Sequence, residues 1–61
     1  MNFDNEDTNV YVIVKNHSYE DEEVIQEVVG WETMLNVINP LCKKDPDNIY
    51  EAFLKEVYYE L

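Results

Sequence analysis

The apolar positions of the chain fall into three groups separated by short polar stretches. Val10-Tyr11-Val12-Ile13-Val14 is an unbroken run of β-branched and aromatic residues, the composition of a strand. Successive strand residues face opposite ways, so a run apolar on both faces predicts burial on both sides or pairing with another chain. Lys15, Asn16 and His17 end it.

In the second group, Val24, Val28, Trp31, Leu35 and Ile38 recur at spacings of four, three, four and three. At about 100° per residue they share one stripe, which predicts an amphipathic helix with Trp31 in the core. Ser18 can cap that helix, with Asp21 as a weak capping-box partner. Glu20, Asp21, Glu22 and Glu23 crowd its first turn, where the helix dipole favours negative charge. Pro40 ends it. A rival reading starts from Gly30, which costs a helix interior about 1 kcal/mol relative to Ala. With Val24, Ile25, Val28 and Val29 it supports a second strand over residues 23–29 and a helix starting at Trp31.

The third group opens on Asp45-Pro46-Asp47, an N-cap aspartate with proline at the first helical position. Ile49, Phe53, Val57 and Leu61 follow at four-residue spacing, with Tyr50 and Leu54 beside them. The predicted fold is therefore small and α+β, with one N-terminal strand followed by two helices. In the alternative, a β-hairpin is followed by two helices. Residues 1–8 read as an acidic flexible arm and 9–61 as a single small domain.

Size changes this picture first. A chain of 61 residues buries only about 60% of its unfolded surface and needs a staple. Its single cysteine, Cys42, and single histidine, His17, exclude an internal disulfide and a zinc site of four Cys and His ligands. Homodimerisation is the remaining staple. No metal or cofactor is expected, and Cys42 with His17 forms no nucleophile motif. A body this small also leaves little room for a pocket of roughly 300 Å³, so no enzyme is expected.

Charge changes it further. Fourteen acidic residues face four lysines and no arginine, for a net charge of -10. Direct nucleic-acid binding is excluded, because phosphates must be met by Lys and Arg. Anionic membranes are disfavoured for the same reason, and no apolar run is long enough to cross one. The acidic opening lacks the basic and apolar regions of a signal peptide, so the cytoplasm is the expected compartment. A basic protein surface is the partner that such a charge steers toward.

On a continuous helix, Glu20, Glu23 and Glu27 would share one flank, with Asp21 close by. Side chains so placed start about 5–6 Å apart, near the charge spacing of DNA. Tyr19, Tyr58 and Tyr59 are the aromatic anchors expected beside them. These seven residues are the candidate partner-binding set. In size and charge the whole chain resembles the small acidic inhibitors that phages and mobile elements direct against DNA-acting host enzymes. That resemblance implies carboxylates replacing phosphates in the DNA-binding site of a host enzyme. Two further readings use the same composition: an immunity or antitoxin-type protein neutralising a basic toxin, and a small homodimeric regulatory adaptor.

Overall fold

The Val10–Lys15 strand (β1) lies at the centre of a sheet, and that position explains its two apolar faces. In the computed structural model, which describes residues 7–60, Val12, Ile13 and Val14 are fully buried. Strand β2 (Glu23–Val29) pairs antiparallel with one edge of β1, and β3 (Tyr50–Leu54) pairs antiparallel with the other. The sheet order is β2-β1-β3. Helix α1 (Trp31–Lys44) connects β2 to β3, and a four-residue helix, α2 (Lys55–Tyr58), follows β3.

Both versions of the expected architecture are therefore corrected. Residues 23–29 are strand, so the first expected helix is cut at Gly30 and survives only from Trp31. Gly30 has φ +96, a conformation that side chains resist. No helix continues through a residue held in that conformation. The second expected helix is the larger error, since residues 50–54 are strand. Tyr50, Ala52 and Leu54 pack toward the helix-side core, a spacing of two that was hidden under the four-residue spacing of Ile49, Phe53 and Val57. Asp45, expected as an N-cap, instead closes α1 at its C-terminal end, its N–H donating to the Leu41 carbonyl. Leu61 lies outside the described residues.

Pro40 does not end α1 but sits inside it. Its missing N–H leaves the Asn36 carbonyl without a helical donor. Both residues are exposed, so water can satisfy that carbonyl. Continuing the helix brings Leu41 onto the core.

The helix covers one face of the sheet only. Tyr11, Ile13, Val28 and Met34 form the buried cluster there, flanked by Leu35, Ile38, Leu41 and other apolar residues. Alternation puts Val10, Val12, Val14, Glu27 and Phe53 on the opposite face. The Tyr58 and His17 rings lie against Phe53 on that side, at centroid distances of 5.7 and 4.7 Å. Trp31, expected in the core, is 53% exposed and meets Tyr11 edge-on at 5.7 Å.

Residues 1–6, which make up most of the expected arm, lie outside the described residues. Asp7 is tied down. Its carboxylate accepts from the backbone N–H of Asn9, the Tyr11 hydroxyl and the backbone N–H of Trp31. Gly30 occupies the N-cap of α1 and has no side chain to cap with. Asp7 supplies the missing acceptor from 24 residues away.

Candidate functional site

The segment joining β1 to β2 carries Glu20, Asp21 and Glu22, with Glu23 following as the first residue of β2, and it is built stiffly. It begins with two residues at positive φ, Asn16 (56°) and Ser18 (74°), which reverse the chain within a few residues. Asparagine is among the few side chains that tolerate that region. Asn16 is only 8% exposed and its amide is fully used. Its Nδ2 donates to Asp21 Oδ2 at 3.0 Å and to Asn48 Oδ1 at 2.8 Å. Its Oδ1 accepts from the Ile49 N–H at 3.0 Å, and its own N–H donates to the Ile49 carbonyl at 2.7 Å. One side chain thus ties the acidic turn to the entry of β3.

A second clamp holds the other side of the turn. Glu22 accepts from the Ser18 N–H and from the Tyr58 hydroxyl, and its Oε2 lies 3.2 Å from His17 Nδ1. These donors, the Tyr58 hydroxyl foremost, hold the Glu22 carboxyl below its ordinary value, and the Glu22 carboxylate in turn pushes the Tyr58 phenol up. Two similar pairs occur elsewhere. Asp7 is lowered by the Asn9 N–H and then the Tyr11 hydroxyl. Asp45 is lowered by the Tyr50 hydroxyl and then the Asn48 amide.

The seven expected partner-binding residues do not form one flank. Glu23 pairs with Lys15 and Glu27 with Val12, which places them on opposite sheet faces across a bulge. Four residues of strand separate them by up to about 13 Å, so the DNA-like helical spacing is lost. Glu27 is neutralised by Lys55 at 3.2 Å, Asp21 is spent on Asn16, and Tyr58 is spent on Glu22. Glu20, Glu23, Tyr19 and Tyr59 remain exposed. Tyr19 is 60% exposed at the turn. Tyr59 is 57% exposed, its ring 5.1 Å from that of Tyr58.

Sequence reasoning missed Asn16, Glu22 and Asp7 as the residues that set this geometry. The signal available for Asp7 was Gly30, a helix start without a capping side chain. No comparable signal marked Asn16, because its distant partners Asn48 and Ile49 lie just before a strand that was read as helix.

A groove of about 420 Å³ lies at the far end of the sheet, lined by Thr8, Asn9, Val10, Leu54, Lys55, Glu56 and Tyr59. It is larger than the chain's length had suggested. Its titratable groups are Lys55, Glu56 and Tyr59, and the Lys55 ammonium is engaged by Glu27. Cys42 is exposed on α1. Among the described residues no three Asp, Glu, His or Cys side chains are grouped to hold a metal, and no helix is long and apolar enough to cross a membrane.

Comparison with known families, with curated proteins and with solved structures finds no match.

Proposed function

We propose that this chain is an acidic inhibitor of the anti-defence kind, which seats its hairpin turn in the basic nucleic-acid-binding site of an enzyme in place of nucleic acid. The observation that carries this reading is the absence of charge compensation. Asp4 and Glu6 lie outside the described residues, so twelve of the fourteen acidic residues are described. Only Glu27 among them has a lysine within ion-pair distance. From residue 16 to residue 42 the chain holds no lysine or arginine, while Glu20, Asp21, Glu22, Glu23, Glu27 and Glu32 all fall there. The Asn16 and Glu22 clamps fix the turn in advance, so less ordering entropy is lost when a partner binds. Dense charge of one sign speeds encounter with a cationic groove and makes it salt-sensitive.

The test is capture on the immobilised chain from a bacterial lysate at low salt, followed by elution with duplex DNA. Prey released by DNA is then assayed for its reaction on nucleic acid with and without added chain. The expected result is a DNA-eluted enzyme that the chain inhibits, with inhibition lost as salt rises. A captured enzyme whose reaction is untouched by the chain, or whose binding ignores DNA, sinks the proposal.

A further inference from the structure

The outer edge of β2 is open. β2 bonds only to β1, so among the described residues its outward backbone groups have no partner. Exposed edges are usually blunted by lysine or proline, and β2 has neither. Apart from Gln26, its side chains are apolar or acidic instead. Val24, Ile25 and Val29 are all exposed, Val29 by 57%, and exposed Trp31 follows after Gly30.

Two features turn this edge away from a second copy of the chain. The register shift between Ile13 and Val14 passes over Ile25 and leaves Gln26–Val29 as the regular stretch. A bulge of this kind re-aims a strand and interrupts continuous pairing. A second copy would also bring its own Glu23 and another net charge of -10, against which nothing on β2 compensates. The same charges favour a cationic occupant.

Building on the proposed docking to a basic protein, we infer that the Gln26–Val29 edge adds an extended, lysine- or arginine-bearing strand of that partner. Main-chain bonds to an open edge supply affinity that does not depend on charge, and alternate side chains of the added strand supply specificity. Apolar residues of that strand would lie beside Val29, on the sheet face away from α1. Its cations would face the acidic turn.

The probe is a capped peptide of alternating lysine and valine, as long as the seven residues of β2. The control replaces each valine by proline, which keeps the charge, removes the N–H of every replaced residue and disfavours a paired strand. Binding is followed by amide shifts and hydrogen exchange of the isotope-labelled full chain. The lysine–valine peptide is expected to bind at least tenfold tighter than the control and to slow exchange at outward amides within Gln26–Val29. Equal, salt-sensitive affinities, or shifts confined to β3 and α2, overturn the edge assignment and leave the basic-partner reading standing. If neither peptide binds at low salt, both fall. If the same amides become protected when the chain alone is concentrated, the edge belongs to a second copy and the inference fails.

Discussion

Asn16 offers the sharpest check on how the acidic turn is held. Its replacement by alanine has two separable consequences. A left-handed backbone, here φ 56°, costs an ordinary L-residue roughly 1–2 kcal/mol more than it costs asparagine or glycine. Removing the amide also leaves the Ile49 N–H, Asn48 Oδ1 and Asp21 without their partner. With Ile49 half exposed, each lost bond is worth the lower figure of about 0.5 kcal/mol. The sum for Asn16→Ala is ~3 kcal/mol, or a fall in Tm of roughly 12–24 °C for a domain of this size. That is a large part of the ~3–9 kcal/mol expected for the whole chain. Asn16→Gly loses the same bonds but keeps the backbone conformation, so it should cost about 1.5 kcal/mol. The diagnostic is the order of the two variants, read from urea unfolding monitored by Trp31 fluorescence and far-ultraviolet circular dichroism. Glycine is ordinarily the less stable choice by about 0.5–1 kcal/mol in regular elements. Here it should be the more stable. An alanine variant equal to or better than the glycine variant, or one losing under about 1 kcal/mol, refutes the clamp.

Gly30→Ala should cost about 2 kcal/mol or more, because φ +96 is strained for any side chain and the new Cβ would lie 3.2 Å from the Asp7 carbonyl oxygen; unchanged denaturant midpoints would contradict this. The pH dependence should be domed. As pH falls from 7, protonation of ordinary carboxylates relieves self-repulsion and stability rises. Asp7, Glu22 and Asp45 have folded pKa values lowered from 3.8, 4.5 and 3.8, so their contribution is present above those values and is lost as pH falls through the lower folded ones. Urea midpoints from pH 7 to 2.5 test the shape, and a monotonic rise toward acid would exclude it. Changing Glu20 and Glu23 together to Gln should weaken the basic partner at least tenfold at low salt and little at high salt. Glu27→Gln should change affinity less than threefold, since Lys55 already neutralises that carboxylate; calorimetric titration would show a reversed ranking. The homodimer expected from the small core should tighten as salt screens two bodies of -10 charge. Sedimentation velocity at two ionic strengths checks this, and a mass that falls with salt rules out an apolar contact.

What could be read from the sequence was what depends on neighbours along the chain. β1 was legible because its composition alone demands a strand, and Gly30 was legible as a break. β3 was not. Tyr50-Glu51-Ala52-Phe53-Leu54 satisfies a spacing of four as well as of two, and the cue of Asp45 and Pro46 favoured the helix. Only the open edge of β1, unknowable from local pattern, decides for the strand. Pro40 misled in the opposite direction, because the burial that carries α1 through it lies at Leu41. The acidic turn was found by composition, yet its geometry was not. Glu20, Glu23 and Glu27 were placed together by a helical period that the backbone does not have, while Asn16 and Glu22, which orient the turn, act through Asn48, Ile49 and Tyr58, 32 to 36 residues away.

The manner in which the carboxylates are satisfied bears on what the charge is for. Tyr11 donates to Asp7, Tyr50 to Asp45 and Tyr58 to Glu22, and the remaining acceptor sites of these acids take backbone N–H and amide groups, with the His17 ring also beside Glu22. Neutral donors stabilise the ionised form and keep these carboxyls charged at lower pH. A lysine or arginine in the same place would do so too, but would cancel the charge seen from outside. The fold therefore draws structural use from Asp7, Asp21, Glu22 and Asp45 without reducing the field that they contribute. Four lysines among fourteen acids, with one of the four spent on Glu27, leave that field nearly whole. Self-repulsion makes it costly to a core this small, and docking to a cationic surface, as proposed above, would turn that cost into binding energy.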